Sequence, residues 1–361
     1  MMKTVVTLGV LLLTIAVAPA PAAAQDTSFE LLPGVVADRA SSRVYAMKPG
    51  GGLEAIDARS GRVVFESSLA DKPIALLGRK LAAQRENKVT PGALEVVVID
   101  TSRPSRTSTI ELALPADELA LVDDTLGRTF SITSTTLDGD LLIGWTAARH
   151  WVSPIPPEEG QTTYEEKKGA ARLDLASGRG YPVEPSLVES EPQLPDAVRA
   201  FAAEPNLFGL PIRAGALIAS TQTTVVGGIS RIVLKRWSAD GTAFADVELF
   251  RGEPIVQWPS SDGRHLIISE RVALGEMDEY LWNIYSLETG ARAGQLRNHF
   301  SRAYFYVDGT RLIHDVWPFT YRADGEIVEF KRQVRAVDLA SGAILWQRPL
   351  RETLYQGPYP P

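Results

Sequence analysis

Cysteine is absent from this sequence. That absence removes disulfides, a lipid-modified N-terminal cysteine, thiolate metal sites and a Cys-x-x-Cys-His haem attachment. Histidine is scarce. His150, His265, His299 and His314 are the whole complement, and no two stand at i, i+2 or i+4, so no local metal motif forms. His265 opens a strand-like patch and reads as a solvated or capping residue. His314-Asp315 sets a base beside an acid, but sequence neighbours on a strand face opposite ways. That suits a strand end with one residue in and one out rather than a catalytic pair. No Gly-x-Ser-x-Gly nucleophile turn occurs, and no glycine-rich phosphate loop precedes a helix. The acid pairs Glu158-Glu159 and Glu165-Glu166 lack the alternating oxygen ligands of a calcium loop and read as solvated loop. A basic excess is missing too. The formal charge is −7, which speaks against nucleic acid or an anionic membrane surface as partner.

One long apolar run is present, and it lies at the start. After Lys3, Val5 to Val17 is uncharged. As a helix this run spans roughly 20 Å, short of the about 30 Å of a bilayer core. It breaks at Ala18-Pro19-Ala20-Pro21 and ends at Ala22-Ala23-Ala24-Gln25, with small residues where signal peptidase requires them. Residues 1–24 are therefore expected to be a signal peptide. Residues 25–361 are then an exported protein, periplasmic or extracellular, with no membrane span. Losing Lys3 takes the formal charge from −7 to −8. Without disulfides the mature chain relies on its own core, and chains of this length bury about three quarters of their unfolded surface.

Glycine and proline, 29 and 24 residues, are spread along the chain and imply many turns between short elements. Strand-like patches dominate: 43–47, 94–100, 141–145, 231–237, 265–269 and 335–338. Each is short and rich in β-branched and aromatic residues. The helical exception is 195–204, where Val198, Phe201 and Ala202 share one face. Two markers alternate along the chain. In the first, a turn residue is followed by two residues and an apolar strand start; it is Gly78, Gly139, Gly215, Gly263 and Gly309, with Ser42 in their place in the first unit. In the second, an apolar strand ends at Asp57, Asp100, Asp174, Ser238, Ser286 or Asp338. The side-chain oxygen there accepts from the backbone ahead, and a following glycine takes the left-handed position. Six of each, interleaved about every 56 residues, define a repeat long enough for a four-stranded blade. Two unrelated β-sandwiches would not carry both markers in alternation. The expected fold is an all-β propeller of about six four-stranded blades, with seven left open, plus the one short helix. Ring closure then removes the open sheet edges.

Ala55-Ile-Asp-Ala-Arg-Ser-Gly61 and Arg335-Ala-Val-Asp-Leu-Ala-Ser-Gly-Ala-Ile-Leu-Trp346 resemble the repeat of pyrroloquinoline-quinone-like propellers, Ala-x-Asp-x-x-Thr/Ser-Gly-x-x-x-Trp. The resemblance covers the turn in four units and the final aromatic in two. It implies that Trp346 in the last unit, and Phe65 in the first, dock an outer strand on the neighbouring blade. It implies fold rather than cofactor. The adjacent cysteines of quinone-dependent dehydrogenases are absent, and their calcium ligands have no counterpart here. No cofactor is expected, with pyrroloquinoline quinone and Ca²⁺ as the alternative.

Units three and six have the longest spans between the two markers, and these are the aromatic-rich ones. Unit three carries Arg149, His150, Trp151 and Tyr164; unit six carries Trp317, Phe319, Tyr321 and Arg322. Exposed aromatics with arginine on loops compose recognition surfaces, so these eight residues are the candidate binding set. Packing of the same aromatics onto the ring is the competing reading. The functional expectation is a monomeric, non-catalytic binding or scaffold module for a protein or small-molecule partner. The alternative is an enzyme in the central funnel, a quinone-dependent dehydrogenase or a metal-dependent hydrolase. That alternative requires charged or histidine side chains to converge at the axis.

Overall fold

A computed structural model describes residues 28–86, 93–114, 128–137, 139–150, 164–189, 194–202, 211–274, 278–323 and 326–351. The segment expected to be a signal peptide, 1–24, lies outside them. Among the described residues, six antiparallel sheets follow one another along the chain, each a meander from an inner strand A to an outer strand D. Blade 1 holds β1 (Ser28–Leu32), β2 (Val35–Asp38), β3 (Arg43–Met47), β4 (Leu53–Asp57) and β5 (Val63–Ser67). Blade 2 holds β6 (Lys72–Leu77), β7 (Lys80–Gln84), β8 (Ala93–Asp100) and β9 (Thr107–Ala113). Blade 3 holds β10 (Arg128–Leu137), β11 (Asp140–His150), β12 (Tyr164–Asp174) and β13 (Arg179–Val183). Two helices follow, α1 (Ser186–Glu189) and α2 (Asp196–Ala202). Blade 4 holds β14 (Ile212–Ala214), β15 (Leu217–Val226), β16 (Ile229–Ser238) and β17 (Val247–Gly252). Blade 5 holds β18 (Val256–Pro259), β19 (His265–Ala273), β20 (Glu279–Ser286) and β21 (Arg292–Asn298). Blade 6 holds β22 (Phe305–Asp308) and β23 (Arg311–Val316), then a separate hairpin of β24 (Phe319–Ala323) and β25 (Glu326–Phe330), then β26 (Gln333–Asp338) and β27 (Ile344–Pro349). The chain is a β-propeller.

Burial follows position in the blade. Middle strands such as β3 and β4 are buried almost residue by residue, because neighbouring blades cover both of their faces. Outer strands such as β5 and β9 alternate, with one face in water. The apolar residues gather into inter-blade layers. One joins blades 1 and 2 through Tyr45, Leu53, Leu81 and Val97; another joins blades 2 and 3 through Leu94, Ile110, Ile132 and Leu173. Further layers join blades 4 to 5, 5 to 6 and 6 to 1. Between blades 3 and 4 the helices intervene. Val188 of α1 packs over Gly144 of β11, while Val198 and Phe201 of α2 pack on Trp237 of β16.

The two markers are the turns of one face. The A–B turn glycines, Gly78, Gly139, Gly215, Gly263 and Gly309, all have positive φ, and Ser42 adopts φ 50° in the first blade. Asp57 shows how the C–D turn is made. Its Oδ1 accepts from the amides of Arg59 and Ser60 and from the Ser60 hydroxyl, while the Gly61 amide donates to the Asp57 carbonyl. Ring closure uses the same turn. Trp346 of β27 donates from Nε1 to the Ala58 carbonyl at 3.0 Å, and Arg348 donates to the Gly61 carbonyl. A Cβ on Gly61 would lie 2.5 Å from Trp346. Phe65 packs between Tyr45 and the blade 2 residues. Both expected docking aromatics therefore sit at blade junctions.

One strand exceeds the four-stranded plan. β1 pairs with β2 at the inner edge of blade 1. The Ser28 hydroxyl donates to the Leu76 carbonyl of blade 2, and the Ser261 hydroxyl of blade 5 donates to the Leu31 carbonyl. Phe29 meets Tyr306 of blade 6 edge-on. β1 thus lies along the central channel, tied to four blades.

Candidate functional site

A ring of A–B–C–D meanders has two faces. The A–B and C–D connections emerge on one, the turn face; the B–C and D–A connections emerge on the other, the hairpin face.

On the turn face an axial cavity of about 320 Å³ opens beside β1. β1 supplies Ser28, Phe29 and Glu30; β6 and β10 supply apolar and hydroxyl groups; the A–B turns of blades 1 and 5 supply Arg39, Asp262 and Arg264. Asp262 is neutralised. Arg39 donates to it and to the Val307 carbonyl, and the Ser260 hydroxyl and Arg264 amide donate to its other oxygen. Arg39 also lies over the rings of Phe29 and Tyr306, at 5.9 and 5.6 Å. Glu30 has no hydrogen bond or ion pair among the described residues, and burial alone pushes its carboxyl up to about 7. A shift in the β1–β2 register between Glu30 and Leu32 is a bulge of the kind that re-aims side chains. His265, just past this turn, is half-buried rather than solvated. Burial lowers it to about 4, against the opposing pull of Asp262, because the A–B turn of blade 5 is covered by β1.

The hairpin face carries the residues expected from sequence. Arg149 and His150 end β11, paired through the backbone with Glu165 and Tyr164 of β12. Trp151 lies outside the described residues. Phe319, Tyr321 and Arg322 form β24, paired with Phe330, Val328 and Ile327. The two sets leave the ring on the same face, three blades apart. Their aromatics divide. Phe319 is a packing residue, stacked on Phe330 at 4.5 Å and edge-on to Phe300 of the preceding connection at 5.2 Å. Trp317 is 41% exposed, with the buried Arg332 guanidinium 5.8 Å from its ring.

His314 and Asp315 correct the expectation of one residue in and one out: both are 1% exposed. They do face opposite ways, but β23 is a middle strand and neighbouring structure covers both sides. His314 packs edge-on against Trp282 of blade 5, and burial lowers it to about 4. Asp315 accepts from the Tyr304 amide, and burial raises it to about 6.

Two features of the hairpin face were not anticipated. The first is a buried charge cluster. Lys72 pairs with Glu86, which also meets Arg351 beyond β27. Asp71 accepts from the amides of Gly52 and Glu86 at 2.9 and 2.8 Å. Burial, then Arg351, lowers Lys72 to about 7. This cluster ties the B–C loop of blade 1, blade 2 and the end of blade 6 together. The second is a row of exposed apolar tips on three consecutive blades. They are Val225, Val226 and Ile229 of blade 4 (65%, 77% and 41% exposed), Val272 and Leu274 of blade 5 (41% and 78%), and Ile327 with Trp317 of blade 6 (70% and 41%). Around the tips the charges are paired internally: Arg231 and Arg251 with Glu248, Arg271 with Asp278, Arg297 with Glu279.

Sequence signals existed for the axial cavity and for the apolar tips. Glu30 interrupts an otherwise apolar run with Leu31 and Leu32, and Val225-Val226-Gly227-Gly228-Ile229 sets apolar residues around a turn that normally carries polar ones. Neither signal says what lies across from it.

No protein-family model matches the chain, and no curated protein does. Solved structures resemble it at low identity. The AtxE2 isopeptidase in its apo form is 12% identical, with a TM-score of 0.37 over 88% of this chain and 49% of the isopeptidase. The chain thus spans about half of that protein's length. A europium-containing methanol dehydrogenase is 10% identical, with a TM-score of 0.34 over 90% of this chain and 80% of the other. The dihydro-heme d1 dehydrogenase NirN is 12% identical, with a TM-score of 0.30 over 90% and 67%.

Proposed function

We propose that the chain is an exported, non-catalytic β-propeller of the pyrroloquinoline-quinone-like repeat type that binds a protein partner through its hairpin face. The observation that carries this is the row of apolar tips on blades 4, 5 and 6. Isolated exposed apolar residues are ordinary, but exposed apolar tips on three consecutive blades of one face, set among charged pairs, have the composition of a recognition surface. The tip charges are already matched among themselves, and the chain is acidic. Among the described residues, Arg231, Arg251, Arg271 and Arg297 at the tips are each held by a carboxylate rather than left to an anionic bilayer. A protein surface with a complementary apolar groove meets both conditions.

The test compares the wild-type mature chain with a Val226→Asp/Leu274→Asp/Ile327→Asp variant, cross-linked in the native extracytoplasmic fraction. One defined adduct is expected in wild type and is lost in the variant at unchanged Tm. An adduct that survives the triple substitution, or flotation of wild type with phosphatidylcholine vesicles, sinks the reading.

Catalysis at the axis is a second reading, supported by the convergence of Glu30, Arg39, Asp262 and Arg264 on one cavity. These residues do not fit pyrroloquinoline quinone. That group is a polyanion, and beside Arg264 the cavity offers it an unpaired carboxyl at Glu30 and a guanidinium at Arg39 that Asp262 already holds. Pyrroloquinoline quinone with Ca²⁺ should therefore leave absorbance and Tm unchanged; a shift in either would revive the enzymatic reading.

A further inference from the structure

The axial cavity on the turn face is built from the repeated turns of the ring, yet its Glu30 carboxyl has no hydrogen bond or ion pair among the described residues. Two carboxylates and two guanidiniums line it. Asp262 has its cation in Arg39, and its remaining oxygen accepts from a hydroxyl and an amide. Arg39 donates to Asp262 and to the Val307 carbonyl and lies over two aromatic faces, while its Nε is buried without a partner. Glu30 has no equivalent among the described residues. The cavity beside it is lined by Phe29, by apolar residues of β6 and β11, and by Ser134, Thr135 and Thr136 of β10, consecutive strand positions whose side chains alternate between its two faces. A carboxyl placed in such a pocket is costly when ionised and unpaired. The ring keeps it there on a strand, β1, that the four-stranded blade plan does not require.

We propose that the axial cavity binds a small organic ammonium compound, with Glu30 as its counter-ion and the β10 hydroxyls accepting its remaining N–H groups. The apolar wall takes the hydrocarbon part of such a ligand, and a cavity of this size admits one of about ten heavy atoms. The Arg39 guanidinium does not oppose the cation, since its charge is cancelled by Asp262. An anion is disfavoured, because it would have to displace Asp262 from Arg39 and would share the cavity with Glu30. Burial raises the Glu30 carboxyl to about 7, so about half of it is protonated at pH 7, and seating an ammonium ion there completes its ionisation and releases about half a proton. Arg39, Asp262, Arg264 and His265 are the other titratable groups at this turn; His265, lowered to about 4, stays neutral through the range in which Glu30 changes.

This site lies on the opposite face from the apolar tips, so its test is separate from that of the partner-binding reading. Titration calorimetry on the mature chain uses benzylammonium as probe, with benzyl alcohol and benzoate as neutral and anionic controls, in two buffers of different ionisation enthalpy at pH 7. Benzylammonium should bind with proton release, and Glu30→Gln should weaken it by about ten-fold or more while circular dichroism shows the fold intact. Thr135→Val, which removes a hydroxyl and keeps the carboxyl, should weaken binding by a smaller factor and retain the proton release. Benzoate binding in preference to benzylammonium would overturn the proposal. So would no saturable binding of benzylammonium, binding without proton release, or binding that Glu30→Gln leaves untouched.

Discussion

The two faces of this ring obey different rules. On the turn face every blade repeats the same solution: a left-handed residue at the A–B turn and an Asp or Ser turn at C–D, with Trp346 sealing the last blade against the first. On the hairpin face no two blades agree. Blade 6 inserts a hairpin, β11 and β12 of blade 3 run to eleven residues each, and blades 4 and 5 expose apolar tips. The difference teaches where tolerance lies. Substitutions on the turn face act on stability, because those turns fix how blades meet. Substitutions at the hairpin tips act on recognition, because little of the ring rests on them.

The largest expected effect is at the seam. Trp346→Ala removes a buried aromatic and its hydrogen bond to Ala58, and should cost about 3–5 kcal/mol, read as a lower denaturant midpoint. A loss below about 1 kcal/mol would show that the seam does not hold the ring. Glu30→Gln comes next and depends on pH. The folded state raises this carboxyl from 4.5 to about 7, so its contribution to stability is fully present below about pH 4.5 and is lost as pH rises through 7. The variant should therefore match wild type at pH 4 and exceed it by about 1–3 kcal/mol at pH 8. Equal stabilities at pH 8 would place Glu30 in water. Ser42→Gly relieves the left-handed strain of a side chain at φ 50° and should stabilise by at most about 1 kcal/mol in thermal unfolding. Smallest of all is the triple aspartate variant of the tips, whose stability should stay within about 0.5 kcal/mol of wild type. A large loss there would turn the tips into packing groups and collapse the contrast between the faces.

Much of the turn face was legible in the sequence because its signals are local. An Asp followed by Ser and Gly closes on itself within five residues, and Gly78 or Gly309 marks the left-handed position wherever it falls. Even the exception, Ser42, stood in register with the glycines. The docking aromatics Trp346 and Phe65 were legible for the same reason, through their fixed distance from the turn. The hairpin face was less so. Arg149, His150 and Tyr164 lie at strand ends, while Phe319 meets Phe330 and Phe300, which lie eleven and nineteen residues away on different elements. Lys72, Glu86 and Arg351 gave no sign of meeting, being brought together only when the last blade returns to the first.

What the sequence determined alone is the repeat: where each strand turns, how often, and hence that a ring of blades would close. Those are short-range consequences of backbone preference and strand alternation. What only the tertiary structure decided is which side chains face one another across the ring. That includes the burial of both His314 and Asp315, the path of β1 along the channel, and the isolation of Glu30 beside a neutralised Arg39–Asp262 pair. The reason is physical: charge and burial depend on neighbours in space, and in a closed ring those neighbours come from blades separated by hundreds of residues.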